Sequence, residues 1–315
     1  MNFQQLRSIR ETVRQNFNLT DVANVLFTSQ PGVSRQIREL EEELGIDIFE
    51  RNGKRVTGLT EPGKDVLPII ERLLQEAENL HQVGQEYSGK TAGTLVIATT
   101  HTQARYVLPH VVQEFRQAFP DVRISLRQSS PEHIAEWVLS GKADIGLATE
   151  GLKQFDGLTS FPCYDWHHVV VVPDKHPLLE KNTISLEDLA AYPLITYDQG
   201  FTGRSHIDDA FSEKNISPDI MLTAMDSDVI QQYVALGLGV GIVASMAAED
   251  NLKPGLMAVT AEHLFSPNTT RVAVRSGAFL RHYMIDFILR LAPSLKSEKL
   301  LSVQRQQVGI SQRGA

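Results

Sequence analysis

The 315-residue sequence predicts an α/β protein with an all-α N-terminal head, and three observations carry that expectation. Residues 18 to 45 read as two short amphipathic helices joined by a tight turn. Residues 60 to 87 space apolar side chains by threes and fours, as one long helix does. From residue 94 onward, short β-rich runs alternate with helical ones, which predicts sheets flanked by helices.

Within the head, Val22, Ala23 and Leu26 fall at helical intervals, and Val33, Ile37, Leu40 and Leu44 form a second apolar stripe. Thr28 or Ser29 can cap the second helix, and Pro31 is tolerated in its first turn, where N–H groups lack intrahelical partners. Gln30, Ser34, Arg35 and Arg38 then point away from the stripe near the N-terminal half, the part of a recognition helix that enters the major groove. Arginine bonds bidentately to guanine, glutamine to adenine, and serine holds phosphate. A solvated helix face would carry the same residues, so the next segment decides. Phe49 to Thr60 places the turn-forming pair Asn52-Gly53 between two extended runs, a hairpin wing whose Arg51, Lys54 and Arg55 suit a phosphate backbone.

Residues 1 to 60 hold eight basic and eight acidic residues, and the whole chain carries a net charge of -8. Binding to DNA must therefore depend on where the basic groups sit, with Glu41, Glu42, Glu43 and Asp47 turned away from the duplex. No stretch approaches the roughly 20 apolar residues of a membrane span, and Met1 to Arg7 lacks a signal-peptide core, so a cytoplasmic protein without membrane partners is expected. A single cysteine, Cys163, precludes an intrachain disulfide. With His167 it supplies at most half of a structural zinc site, so no metal is expected.

Thr60 can cap a helix that Glu61 and Pro62 begin, and Val66, Ile70, Leu73, Ala77 and Leu80 form a seam of about two heptads for pairing with a twin helix. Pro68 cannot donate to the Lys64 carbonyl and clashes with it, which predicts a bend at a cost of roughly 3 kcal/mol if unrelieved.

After a polar linker at residues 88 to 93, strands are expected at residues 94–98, 122–126, 143–148, 168–172, 193–197, 220–223, 240–243 and 270–274, with a helix from about Phe279 to Leu291 and a mobile tail over 301–315. A ligand belongs at the carboxyl ends of such strands. Thr99 to Gln103, Thr149-Glu150 and Gly200 to Ser205 are hydroxyl-rich loops that fall there. The first and last open helices, whose free N–H groups and positive dipole ends favour a small anion. Gly237 to Gly241 superficially matches a dinucleotide loop, but it follows a helix and opens a strand, the reverse of that motif's order.

The segment Thr28-Ser29-Gln30-Pro31, the Glu39-Leu40-Glu41 and Glu43-Leu44-Gly45 that follow, and the wing resemble the LysR-type transcriptional regulators, over nearly the whole chain. The resemblance implies a winged helix-turn-helix over 1–59, a linker and dimerisation helix over 60–91, and a two-lobed effector domain over 92–300, similar to periplasmic solute-binding proteins. Lobe I would be 92–162 with 267–300 and lobe II 163–266, with crossings near Phe161 and Phe265. It implies promoter DNA contacts from Thr28, Ser29, Gln30, Pro31, Ser34, Arg35, Arg38, Arg51, Lys54 and Arg55, a homodimer or homotetramer, RNA polymerase as a partner, no cofactor and no enzymatic activity. Three further runs, Ala98 to Tyr106, Phe201 to Ser205 and Asp226 to Gly241, resemble the sulfur-assimilation branch, the CysB and Cbl regulators. On that resemblance Thr100, Thr102, Gln103, Thr149 and Thr202 bind an effector such as sulfate, O-acetylserine, N-acetylserine or adenylyl sulfate. A LysR-type regulator answering to another carboxylate, and a two-lobed solute-binding protein, are the competing readings.

Overall fold

The structure, a computed structural model, describes residues 1–53, 55–88, 92–201, 203–249, 252–296 and 300. They fall into two compact units, Met1–Ser88 and Gly89–Ala315. Two residues expected in binding sites, Lys54 and Thr202, and the tail 301–315 lie outside the described residues.

In the first unit, α1 (Phe3–Arg14), α2 (Leu19–Val25) and α3 (Gln30–Leu44) pack around Leu6, Ile9, Val22, Val33, Ile37 and Leu40, all buried. Three of the four expected stripe residues of α3 are in this core. Leu44 is 43% exposed, because the helix stops there at Gly45, whose left-handed φ of 68° turns the chain away. β1 (Phe49–Asn52) and β2 (Arg55–Leu59) pair antiparallel as the wing, with a register shift between Glu50 and Arg51.

α4 (Glu61–Tyr87) begins as its sequence requires: the Thr60 hydroxyl accepts the Gly63 N–H at 3.0 Å, and α4 continues through Pro68 as one helix. Its first turns do not belong to a pairing seam. Val66, Ile70 and Leu74 pack into the head's own core, the lowest-energy use of an apolar face that is already next to one. The apolar residues that α4 leaves exposed are Ile69, Leu73, Leu80 and Tyr87, of which Leu73 and Leu80 belong to the expected seam.

The second unit has two five-stranded sheets. In the first, β3 (Gly93–Thr99), β4 (Val122–Gln128), β5 (Ile145–Ala148), β6 (Leu158–Trp166) and β12 (Asn268–Arg275) lie in the order β4-β3-β5-β12-β6. α5 (Leu108–Ala118) and α10 (His282–Leu291) share one core with it, and α6 (Pro131–Leu139) another. In the second sheet β7 (His168–Pro173), β8 (Leu194–Tyr197), β9 (Ile220–Ala224), β10 (Val240–Ala244) and β11 (Leu256–Thr260) take the order β11-β7-β10-β8-β9. α7 (Leu186–Ala190), α8 (Arg204–Glu213) and α9 (Ser227–Ala235) accompany it.

All eight expected strands are present, and β6 and β11 are additions. β6 escapes a propensity reading because Pro162 interrupts it. Proline is acceptable on this edge strand, where the β6–β12 pairing slips register between Tyr164 and Pro162. The chain therefore changes sheets at His167, between β6 and β7, and not near Phe161, which is paired with Val272 inside the first sheet. It returns between β11 and β12, close to the expected Phe265. Among the described residues, no helix is long and apolar enough to cross a membrane.

Candidate functional site

The face of the head that the sequence assigns to DNA is built on one cap. Ser29 is the N-cap of α3 and its hydroxyl accepts the Gly32 N–H at 3.2 Å, which leaves Thr28 uncommitted to capping. Thr28, Ser29, Gln30, Pro31, Arg35 and Arg38 are exposed and Ser34 is half-buried. Arg35 bonds Glu39 at 2.7 Å, but its side chain is 80% exposed, so a phosphate or a base edge can take the place of that carboxylate.

The wing is held by a buried carboxylate. Glu41 Oε1 accepts the backbone N–H groups of Ile48 at 2.9 Å and Phe49 at 3.1 Å, while Oε2 accepts from Arg51 Nη2 at 2.7 Å. Arg51 is thus spoken for within the protein, and its side chain is only 24% exposed. Of the wing's described basic residues, Arg55 is the exposed one. Glu41 does turn away from the α3 outer face, as a DNA-facing helix demands, and its role as the wing's anchor is a contact that residue type and spacing do not announce.

In the second unit, β3 and β5 are parallel neighbours with Thr99 opposite Leu147, so Thr100 and Thr149 leave the sheet side by side at its carboxyl edge. Thr99, Thr100, Thr102, Gln103 and Thr149 are all buried. Thr149 precedes a short 3₁₀ turn without capping it, and Thr102 precedes a π-helical turn (Gln103–Val107) without capping it either. The usual structural use of a threonine in these places is therefore not being made. The Thr99 hydroxyl has no hydrogen-bond partner among the described residues, and the Thr102 hydroxyl lies beside the Tyr197 phenol without a bond of ordinary geometry. Buried hydroxyls without partners cost free energy unless something else satisfies them.

The loop before α8 lies against the start of β12. Gly203, at φ 66°, sits so close to Asn268 that a Cβ would lie 1.8 Å from its Oδ1, and that oxygen is itself without a partner among the described residues. Arg204 is buried, with Nη1 donating to the Tyr197 carbonyl and Nε to Asp208 at 2.7 Å. Thr99 and Asn268 thus carry buried polar atoms without partners among the described residues, in addition to the residues expected in the site. Burial pushes the Tyr197 phenol up to about 12, so it remains a donor.

Gln103 is differently placed from the threonines. Its Nε2 donates to Thr270 at 3.2 Å and its Oε1 accepts from the Tyr164 phenol, while Trp166 Nε1 donates to the same Thr270 hydroxyl at 3.1 Å. Gln103 therefore ties the cleft to β6 and β12, the strands that lead out of the first sheet and back into it. The two lobes also meet around Asp228 of α9, which bonds Arg105 Nε at 2.6 Å and accepts from Tyr106 at 3.1 Å, with His101 at 3.7 Å. Burial, helped by Asp228, raises the Tyr106 phenol and keeps it protonated. Cys163 is buried, and its thiol is pushed up to about 12 by that burial.

Two family descriptions match the chain: "Bacterial regulatory helix-turn-helix protein, lysR family" over residues 3–64 and "LysR substrate binding domain" over residues 88–295. The chain belongs to the LysR family. It is a helix-turn-helix transcriptional regulator with an effector-binding domain, and members of its family bind promoter DNA and small effectors. This LysR-type chain is 55% identical over 308 residues to the transcriptional regulator SsuR of Burkholderia cenocepacia, covering 98% of this chain and 100% of the relative. It is 52% identical over 295 residues to CysB of the same organism, covering 94% of each. Among solved structures, the cofactor-binding domain of the Cbl transcriptional regulator superposes with a TM-score of 0.66 at 45% identity, over 70% of this chain and 95% of that one.

Proposed function

We propose that this regulator controls sulfur-assimilation genes in answer to a small sulfur-pathway oxyanion bound between its lobes. The observation that carries the reading is the group of buried threonines at the carboxyl ends of β3 and β5, with a hydroxyl left without a partner. Sulfate and acetylated serine present oxygens that neutral hydroxyls and helix N-terminal N–H groups can bind without a full counter-charge. Relatives named SsuR, CysB and Cbl, at about half identity, support the sulfur reading.

In this mechanism Thr100, Thr102, Thr149 and Thr202 hold the anion, and Gln103 signals its presence by exchanging Thr270 and Tyr164 for it. Binding then biases lobe closure and, through a homodimer or homotetramer, the spacing that paired heads impose on promoter DNA and offer to RNA polymerase. The effector can move this equilibrium only by as much as it prefers one arrangement. The protein works in the cytoplasm, as its relatives' function as transcription regulators demands.

Thermal unfolding of the full chain against sulfate, thiosulfate, O-acetylserine, N-acetylserine, adenylyl sulfate and unrelated carboxylates tests this. A ligand at 100 times its dissociation constant adds about 2.7 kcal/mol. A selective rise with one sulfur compound is expected. A rise only with sulfur-free carboxylates assigns the cleft to another pathway.

A further inference from the structure

The turn between α2 and α3 contains a residue that folding does not explain. Phe27 is 97% exposed and stands at φ 51°, in the left-handed region that side-chain-bearing residues avoid. Its position is defined by two bonds: its own amide donates to the Asn24 carbonyl at 3.3 Å, and the Thr28 amide donates to the Ala23 carbonyl at 2.9 Å. These are the paired bonds of a Schellman cap, with Phe27 at the place that glycine or asparagine ordinarily takes.

Two comparisons within the same chain sharpen this. α9 ends in the same two bonds, Gly237 to Val234 and Leu238 to Tyr233, and there the left-handed place is held by glycine. Phe17 is also left-handed, at φ 64°, but its ring packs edge-on against Phe49 at 6.2 Å and joins the head's core. Phe27 has neither the right backbone preference nor any burial to offset the strain. It is next to Thr28, Ser29, Gln30 and Pro31, all exposed at the start of α3. Strain held at an exposed position beside a binding surface is a mark of function.

We propose that Phe27 is an apolar base-reading residue, whose ring meets the 5-methyl group of a thymine at the edge of the base pairs that the start of α3 reads. An uncharged ring gains little from phosphate, whereas the thymine methyl is the one apolar group that the major groove offers. The inference rests on α3 being the recognition helix, and the test separates the two.

A duplex is selected from a randomised pool with the full-length wild-type protein, and its affinity is measured over a range of salt. Phe27→Asn, a residue at ease in the left-handed cap, keeps or raises the melting temperature, loses about tenfold in affinity, and keeps the salt slope. Phe27→Gly repeats the result. In the wild type, replacing thymine by deoxyuridine at one or two positions reproduces the loss, and in Phe27→Asn the same replacement adds nothing. Unchanged affinity of Phe27→Asn overturns the proposal. So does a loss that adds in full to every deoxyuridine replacement. Arg35→Ala serves as the control on the helix assignment, since loss of a phosphate contact lowers the salt slope by about 1 and loss of a guanine contact lowers affinity and relaxes specificity at that base. If Arg35→Ala binds normally, the helix assignment falls and the Phe27 contact with it; if Arg35→Ala is impaired while Phe27→Asn binds normally, the Phe27 contact alone falls.

Discussion

Glu41 is a carboxylate in the last turn of a helix meant to approach a polyanion, and its three bonds give the reason. It satisfies two backbone N–H groups at the start of the wing and neutralises Arg51, so the wing's angle to α3 is set from inside the protein. Glu41→Ala strands all three partners at once. We expect it to cost the head about 2–3 kcal/mol and to weaken DNA binding although Glu41 touches no DNA, with melting and DNA titration as the two readouts. Glu41→Gln keeps an acceptor for the N–H groups but loses the charge, and falls between. At the cleft, Thr100→Val removes a hydroxyl with little change of shape, so the effector-dependent rise in melting temperature disappears while the protein without effector melts as before. Two buried groups also set an alkaline limit. Cys163 and Tyr197 ordinarily titrate at 9.0 and 10.0, and burial pushes each up to about 12. The unfolded chain therefore ionises first, and the stability these groups contribute is complete below about pH 9 and is lost as pH rises toward 12. Urea titrations between pH 8 and 11.5 check this: the decline begins near pH 9, and in Cys163→Ala nearer pH 10.

Elements differed in how legible they were, and α4 shows why. Its start, cap and length follow from Thr60, Glu61 and the apolar spacing, but a spacing of threes and fours describes two stripes, and only packing selects which is covered. The head takes Val66, Ile70 and Leu74, leaving Leu73, Leu80 and Tyr87 seven residues apart on an open face. Leu80→Lys is expected to shift the protein toward monomer in sedimentation velocity without lowering the head's stability, because Leu80 is 74% exposed in the single chain. Ile70→Lys does the opposite and unfolds the head. The strands with clear β-branched runs were readable, whereas β6, broken by Pro162, and the short edge strand β11 were not, since their pairing is supplied by β12 and β7. The threonine loops were visible as composition. The ties of Gln103 to Tyr164 and Thr270 were not, because they join residues 61 and 167 positions apart.

At the scale of the molecule, charge decides how DNA is found and held. The chain's net charge of -8 opposes the duplex, and the first 60 residues balance to zero, so attraction has to come from a few placed cations. With Arg51 held by Glu41, the candidate cations of each head are Arg35, Arg38, Lys54 and Arg55, four in number. Each phosphate neutralised contributes about -0.9 to the slope of log K against log salt. One head then predicts a slope near -3.6, and two heads bound together, with eight cations, roughly -7. The measured slope thus counts heads. A steep slope for the wild type that halves in Leu80→Lys means that the α4 seam brings two heads to one site. A shallow slope in both means that one head binds alone, and that any effect of the cleft on DNA spacing has no second head to act on.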